Sequence, residues 1–478
     1  MKKVALGIIV VLVIAVLGLP PLLGSMTESR IRNGLATMDE NPVMAATVTS
    51  YDRGWFASTA RIDIGIDPEY LQTMIGLDGP DGDAAAAAML ADAAATFVVD
   101  VDHGPVVLRN GFFVGLARLV AGLSEDSPTI SEIRTQFAMP YLIEICGRLG
   151  LTGAFSFDAD VPPVDYADED GEFFFSGATS EGTFRNGNLV STGRIDEISF
   201  DTVGAAGQIR GISFEGDNEV INAYLWVGVF ELLVESMVFT NPLIGAEPQL
   251  DISRLSLTGD TELDDTGELL SGSVAYAADS IVAGQELALT NAEIGVTLER
   301  ISVEAINTYY EMLGSLDPDD PFGALEIVQA LGTQLLERNP SIGLSPIRFE
   351  YMGEPFSANI DVRTVAGAAQ GGIDLMNPAM LAMLFELSAD ATASKVLAQQ
   401  IATLIFEGEL AAAFAGQELP PDQDITEMAE QQAEVVLATF VGQGFLVDAG
   451  DSYTTSLEYA GGELAVNGTP LPLGMMFQ

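Results

Sequence analysis

Arg61-Ile62-Asp63-Ile64-Gly65-Ile66-Asp67 alternates isoleucine with charged or small residues. Successive side chains of a strand point to opposite faces, so all three isoleucines fall on one side. Just before it, residues 46–51 read as a partner strand or as the first half of one long strand. Gly54 between them marks a turn or a bulge. Further on, residues 97–108 are strand-like. The chain then falls into a rhythm of strand blocks followed by helical segments.

The first block spans residues 151–214, with turns at Asp170-Gly171, Asn186-Gly187-Asn188 and Gly204. Phe173, Phe175, Ile198, Phe200, Ile212 and Phe214 suit alternating inward positions. Residues 249–298 form a second block and 347–375 a third. The chain closes on strands 453–459 and 463–466 around Gly461-Gly462, with Asn467-Gly468 as a further turn. Helices are expected over 84–95, 112–123, 135–149, 220–239, 303–335, 378–414 and 425–441, and a loop over 78–83. No residue-level repeat is visible. Strand runs followed by helices predict an α+β fold of antiparallel, elongated and curved sheet blocks interspersed with apolar helices, not βαβ winding.

At the start, Lys2 and Lys3 precede an uncharged run over 4–23. As a helix it would measure roughly 30 Å, the hydrocarbon thickness of a bilayer. Its apolar part before Pro20 exceeds the h-region of a cleavable signal, and Leu22-Leu23-Gly24-Ser25-Met26 offers no good small-x-small exit. Residues 1–24 therefore read as a retained transmembrane signal anchor. Lys2 and Lys3 favour a cytoplasmic N-terminus, a bias weakened by Arg30 and Arg32. Ile31, Leu35 and Met38 have helical spacing and make 25–40 a helical stalk. Residues 41–478 form the body, with lobes drawn at 41–240, 241–345 and 346–478.

Of 478 residues, 69 are acidic and 19 basic, a net charge of −50. Lysine occurs only as Lys2, Lys3 and Lys395, so the body carries its few cations on arginine. Dense like charge repels itself and salt screens that repulsion, which fits a halophilic or marine setting. Such a surface has no basic patch for a phosphate backbone and argues against nucleic acid. Mean hydropathy is nonetheless positive, so the body holds a large core or an apolar groove.

The chemical inventory is thin. The single cysteine, Cys146, excludes an intramolecular disulfide and reads as a buried small hydrophobe. One histidine and one cysteine exclude multi-histidine zinc sites and closed thiolate sites. Nucleophile-elbow, dinucleotide and phosphate-loop motifs are absent. His103 is either a base or ligand, or a turn histidine bonded to backbone; the second is preferred, because Asp102 would point to the other face. Acidic clusters at 78–83, 168–172, 264–265 and 317–320 lack the spacing of an EF-hand loop and read as solvated. No catalytic, cofactor-binding or metal residue is assigned. Tyr51, Arg53, Trp55 and Phe56 combine aromatics with a scarce cation close to the anchor. With His103 they are the candidate lipid- or partner-contact residues.

Tyr51-Asp-Arg53-Gly54-Trp55-Phe56-Ala-Ser58, Asp102-His103-Gly104-Pro105 and the closing Tyr453…Leu457…Gly462-Glu-Leu464-Ala-Val466-Asn467-Gly468 occur in this order. Together they resemble the YdgA-like family of bacterial proteins, a domain of unknown function. The resemblance implies a Gram-negative envelope protein held in the inner membrane with its body in the periplasm, and no established enzymatic activity. The expectation is a non-enzymatic protein without cofactor that handles lipid or a hydrophobic polypeptide along an apolar sheet face. The alternative is an envelope scaffold binding another membrane or periplasmic protein; a hydrolase ranks below both.

Overall fold

The computed structural model describes residues 20–39, 44–66, 95–107, 112–126, 128–169, 171–222, 225–241, 243, 248–284, 287–313, 331–332, 334–365, 383–413 and 424–471. The anchor expected over 1–24 lies outside them up to residue 19, as do the loop over 78–83 and nearly all of the helix over 84–95. Among the described residues no helix is long and apolar enough to cross a membrane. Contacts divide the chain into two units: Met1–Glu235 with Asn241–Gly245 and Ile306–Val328, and the remainder.

The first unit begins with helix α1 (Pro20–Asp39). Its strands are β1 (Met44–Arg53), β2 (Ala57–Ile66), β3 (Ala95–His103), β4 (Val106–Val107), β5 (Phe113–Val114) and β6 (Ala117–Leu123). Helix α2 (Pro128–Gln136) separates these from β7 (Glu144–Leu149), β8 (Phe155–Val161), β9 (Val164–Ala167), β10 (Gly171–Phe175), β11 (Ala178–Arg185), β12 (Asn188–Thr202) and β13 (Ala206–Val220). Antiparallel pairing runs β1-β2-β3-β6-β7-β8-β11-β12-β13. Hairpin β9–β10 pairs with the second half of β12.

Register decides which side chains share a face, because residues directly opposite one another point the same way. Ser58 opposes Val101, Val101 opposes Leu119, and Leu119 opposes Gly147. Gly147 opposes Phe157, Phe157 opposes Gly182, and one pair further along, Ser180 opposes Gly193 and Gly193 opposes Phe214. The same face carries Ala60, Ile62, Val99, Ala117, Leu149, Phe155, Phe184, Leu189 and Ile195, and is apolar across nine strands. The other face carries Asp100, Asp102, Arg118, Glu144, Arg148, Asp158, Glu181, Arg194 and Glu215. A bulge in β1 between Val48 and Ser50 keeps both Val48 and Tyr51 on the apolar side.

Helix α1 covers the first part of that face. Leu23 packs with Ala60, Ile62, Val99, Val101, Leu116, Ala117 and Leu149, flanked by Ile31 and Leu35. Burying one such leucine contributes about 1.5–3 kcal/mol. The stretch expected to be a stalk is therefore a sheet-capping helix. Over β11–β13 no helix among the described residues covers the face, and Phe184 and Phe214 are exposed. Glycines make room for its aromatics: a Cβ on Gly147 would meet the Phe155 ring at 2.7 Å and one on Gly182 the Phe157 ring at 2.6 Å. Phe214 covers Gly193 in the same manner.

Several expected elements differ. Residues 112–123 form β5 and β6, because alternate Ala117, Leu119, Ala121 and Leu123 face the core. Residues 135–149 hold only the end of α2 and then β7. Of residues 220–239, those from Trp226 on form strand β14 (Trp226–Thr240), rich in β-branched and aromatic residues and interrupted by Glu231 and Glu235. The expected inward set splits: Phe173 pairs with Phe200 and Phe175 with Ile198 on one face, while Ile212 and Phe214 lie on the other. Cys146 is half-buried on the polar face, its Sγ 3.9 Å from Glu144 Oε1.

The second unit repeats the one-sided pattern. Strands β15 (Pro248–Leu263), β16 (Leu269–Ala283) and β17 (Leu287–Ser302) precede helix α3 (Val303–Leu313). Strands β18 (Ser341–Tyr351), β19 (Glu354–Thr364) and β20 (Phe385–Ser394) follow, then α4 (Lys395–Ala413) and α5 (Ile425–Gly442). Residues 385–394 of the helical region expected over 378–414 are thus strand β20. Strands β21 (Val447–Asp448), β22 (Ser452–Ala460), β23 (Glu463–Val466) and β24 (Thr469–Leu471) end the chain. Pairing runs β15-β16-β17-β18-β19-β20-β22-β23-β24. Leu257, Tyr276, Ile294 and Ile347 are successive partners on the apolar face, as are Leu298, Ile342, Val362 and Leu387. Asp260, Ser273, Glu293, Arg348 and Ser357 lie on the other. Ser394 caps α4 through the Leu397 N–H at 3.0 Å, and Asp424 caps α5 through the Thr426 N–H at 2.9 Å.

Candidate functional site

Four of the five sequence-derived candidates, Arg53, Trp55, Phe56 and His103, sit at one end of the first unit's sheet, where β1 turns into β2 and β3 ends; Tyr51 lies just inside it. Gly54 makes that turn, its N–H bonding the Ala57 carbonyl at 2.9 Å. The His103 N–H donates to the Phe56 carbonyl at 2.8 Å, and the Gly104 N–H to the Leu116 carbonyl at 2.7 Å. His103 thus ends β3 on the face that carries Val101 and Ser58.

Its ring is hydrogen-bonded to a side chain, not to backbone as expected. Ser58 Oγ lies 2.7 Å from His103 Nε2, and each residue is 4% exposed. Nδ1 is buried with no partner among the described residues. Burial, and after it the Arg53 guanidinium, push the imidazole below its ordinary pKa, with Asp102 acting in the opposite sense. Burial and the guanidinium both favour the neutral ring. Gly24 of α1 lies directly over it: a Cβ there would stand 2.9 Å from two ring atoms.

Tyr51 adds a second buried polar atom. Its hydroxyl has no hydrogen bond of good geometry. Burial raises its pKa, while the nearby Ser58 hydroxyl acts the other way. Arg53 pairs with Glu28 of α1, which also accepts from Arg32 Nε at 3.1 Å. The Arg53 bond holds the Glu28 carboxyl below the usual range, against the opposing effect of burial. Trp55 and Phe56 point outward, 57% and 51% exposed.

A serine on a histidine is the start of a nucleophilic dyad. Here Nδ1 carries no orienting carboxylate, and both groups are enclosed beneath α1. The pair ties β2 to β3 and supports the helix. Ser58 lies within the 51–58 stretch, yet nothing in the sequence singles it out; its partner stands 45 residues away and only the strand register brings them together. Among the described residues no cluster of three metal-ligating side chains occurs. Asp168 and Asp264 serve their own turns, accepting from the Gly171 N–H at 3.1 Å and the Glu268 N–H at 2.9 Å. The clusters at 78–83 and 317–320 lie outside the described residues.

This is an antiparallel β-sheet protein whose N-terminal helix caps one end of a one-sided apolar sheet. The chain belongs to the family described as "Bacterial protein of unknown function (DUF945)", which matches residues 1–474. It is similar to "Protein YdgA" of Escherichia coli (strain K12), 23% identical over 415 residues, covering 79% of this chain and 77% of that protein. No solved structure matches the chain.

Proposed function

We propose that this protein is held in the bacterial inner membrane by the residues that precede α1, with a cytoplasmic N-terminus and a periplasmic body. This is the uncharged run expected as an anchor without its last residues 20–24, which pack on the sheet. In this reading it is non-enzymatic and accommodates lipid acyl chains on its apolar sheet face. One observation carries the proposal: through the first half of β12 in the first unit, and again in the second unit taken by itself, the strands are predominantly apolar on one face and charged on the other. The pattern lapses in the second half of β12, where Ile198 and Phe200 turn to the charged side. A sheet in water bears a broad apolar face where something else comes to cover it. On the open part of the first unit, β11 and β12 are paired on both sides, so an incoming polypeptide would find few free backbone groups on them. An acyl chain asks only for apolar area. The uncharged run that follows Lys2 and Lys3 supports the membrane setting.

The test is native mass spectrometry of the full-length protein extracted from membranes. Bound lipid is expected, and Phe214→Asp combined with Ile195→Asp lowers its occupancy at least several-fold. Recovery of a stoichiometric protein partner with no lipid would favour the scaffold reading instead and overturn this one.

A further inference from the structure

Three consecutive turns lie at the same end of the first unit's sheet: residues 54–56 between β1 and β2, the β4–β5 arm between β3 and β6, and residues 150–154 between β7 and β8. The antiparallel order fixes this, since β1, β3 and β7 all run toward that end. Val106 pairs with Val114 in the arm, and the Gly115 N–H bonds the Pro105 carbonyl at 3.2 Å. Each turn exposes large apolar side chains: Trp55 and Phe56, then Val106, Phe112 (75%) and Val114, then Leu151 (59%).

None of residues 54–56, 104–107, 112–116 and 150–154 carries a charge, and the sequence between the two arm strands, Leu108-Arg109-Asn110-Gly111, adds one cation and no acid, in a chain with 69 acids. Past the opposite end of β6, Glu125 and Asp126 are exposed in ion pairs with Arg134 and Arg61. The same end receives α1: Gly24 lies on His103, Glu28 on Arg53, and Arg30 against Gly153. The chain therefore leaves the uncharged run at 4–19 and enters the fold at this tip.

We infer that the tip formed by Trp55, Phe56, Val106, Phe112, Val114 and Leu151 seats on the bilayer surface. There the tryptophan ring and the apolar side chains reach the headgroup–acyl boundary, as interfacial aromatics do. The inference rests on the anchor in the proposed function and adds what the body does beside it. An acid-free tip avoids repulsion from anionic headgroups that the rest of this surface would meet. Two points of attachment, helix and tip, fix the direction in which the sheet leaves the membrane.

The chain has two tryptophans, Trp55 and Trp226, so Trp226→Phe leaves Trp55 as sole reporter. The full-length variant is reconstituted into phosphatidylcholine vesicles with brominated acyl chains. Flotation with the vesicles and at least twofold quenching of Trp55, relative to unbrominated vesicles, are expected. Adding Phe112→Asp and Val114→Asp removes most of the quenching while flotation persists. Flotation with unquenched Trp55 overturns the tip and spares the anchor, including the case of a blue-shifted Trp55 buried against a second copy. Loss of flotation overturns the anchor and the tip together. Quenching unchanged by the arm substitutions removes the arm from the contact and overturns the surface as drawn.

Discussion

Ser58 Oγ and His103 Nε2, 2.7 Å apart, form a buried bond directly under Gly24 of α1. Replacing His103 with alanine leaves the serine without that partner and opens a cavity beneath the helix. The expected loss is about 2–4 kcal/mol of stability in denaturant unfolding. A loss within experimental error would show that the helix does not depend on this bond.

The same histidine gives a signed pH dependence. Its folded pKa is lowered, so the unfolded chain binds the proton first. The stabilisation is complete above the ordinary value of about 6.5 and is lost as pH falls below it toward the lowered folded value. His103→Gln removes the sole histidine, so subtracting its curve from that of the native chain isolates this effect from carboxylate titration. The native chain should lose more stability than the variant between about pH 7 and pH 5.5. Parallel curves would contradict a buried neutral ring.

Gly24→Leu should lift α1 from the His103 ring, because even a Cβ there stands 2.9 Å from it. A cost of about 1–3 kcal/mol is expected, with faster amide exchange at Val99 and Val101. Unchanged exchange at those two residues would count against the helix as the cover of that face.

The net charge of −50 predicts stability that rises with salt. Screening shortens from about 10 Å at 0.1 M to about 3 Å at 1 M. Thermal unfolding should therefore move to higher temperature across that range, and an equal midpoint at both would remove repulsion as a major term.

Asp424→Ala deletes the α5 cap, whose carboxylate accepts the Thr426 N–H. About 1 kcal/mol should be lost, with fraying confined to the first turn of α5 by hydrogen exchange.

The strand and hairpin content is legible in the sequence because it is local. Alternation at 61–66 and the Gly461-Gly462 turn state their own conformation, and β2, β22 and β23 stand where the pattern puts them. β14 misleads because a largely apolar stretch, broken by Glu231 and Glu235, fits a strand and a helix equally. The one-sided sheet is harder to see, since it depends on register across many strands and on the bulge after Val48. Grouping Phe200 with Ile212 fails for the same reason: both obey a period of two, but pairing sets them on opposite faces. Arg53 and His103 stand out as site residues through their scarcity. Ser58 does not, because serine is common and its partner is distant in sequence.

Within each unit almost every strand pairs with the next strand in the chain; the β9–β10 hairpin, set between β8 and β11, is the main interruption. Such a ladder closes short loops one after another instead of waiting for distant ends to meet. A chain delivered in order from its N-terminus can add each strand to an edge already in place. This topology suits assembly during synthesis or export, with the growing edge as the point most exposed to wrong pairing.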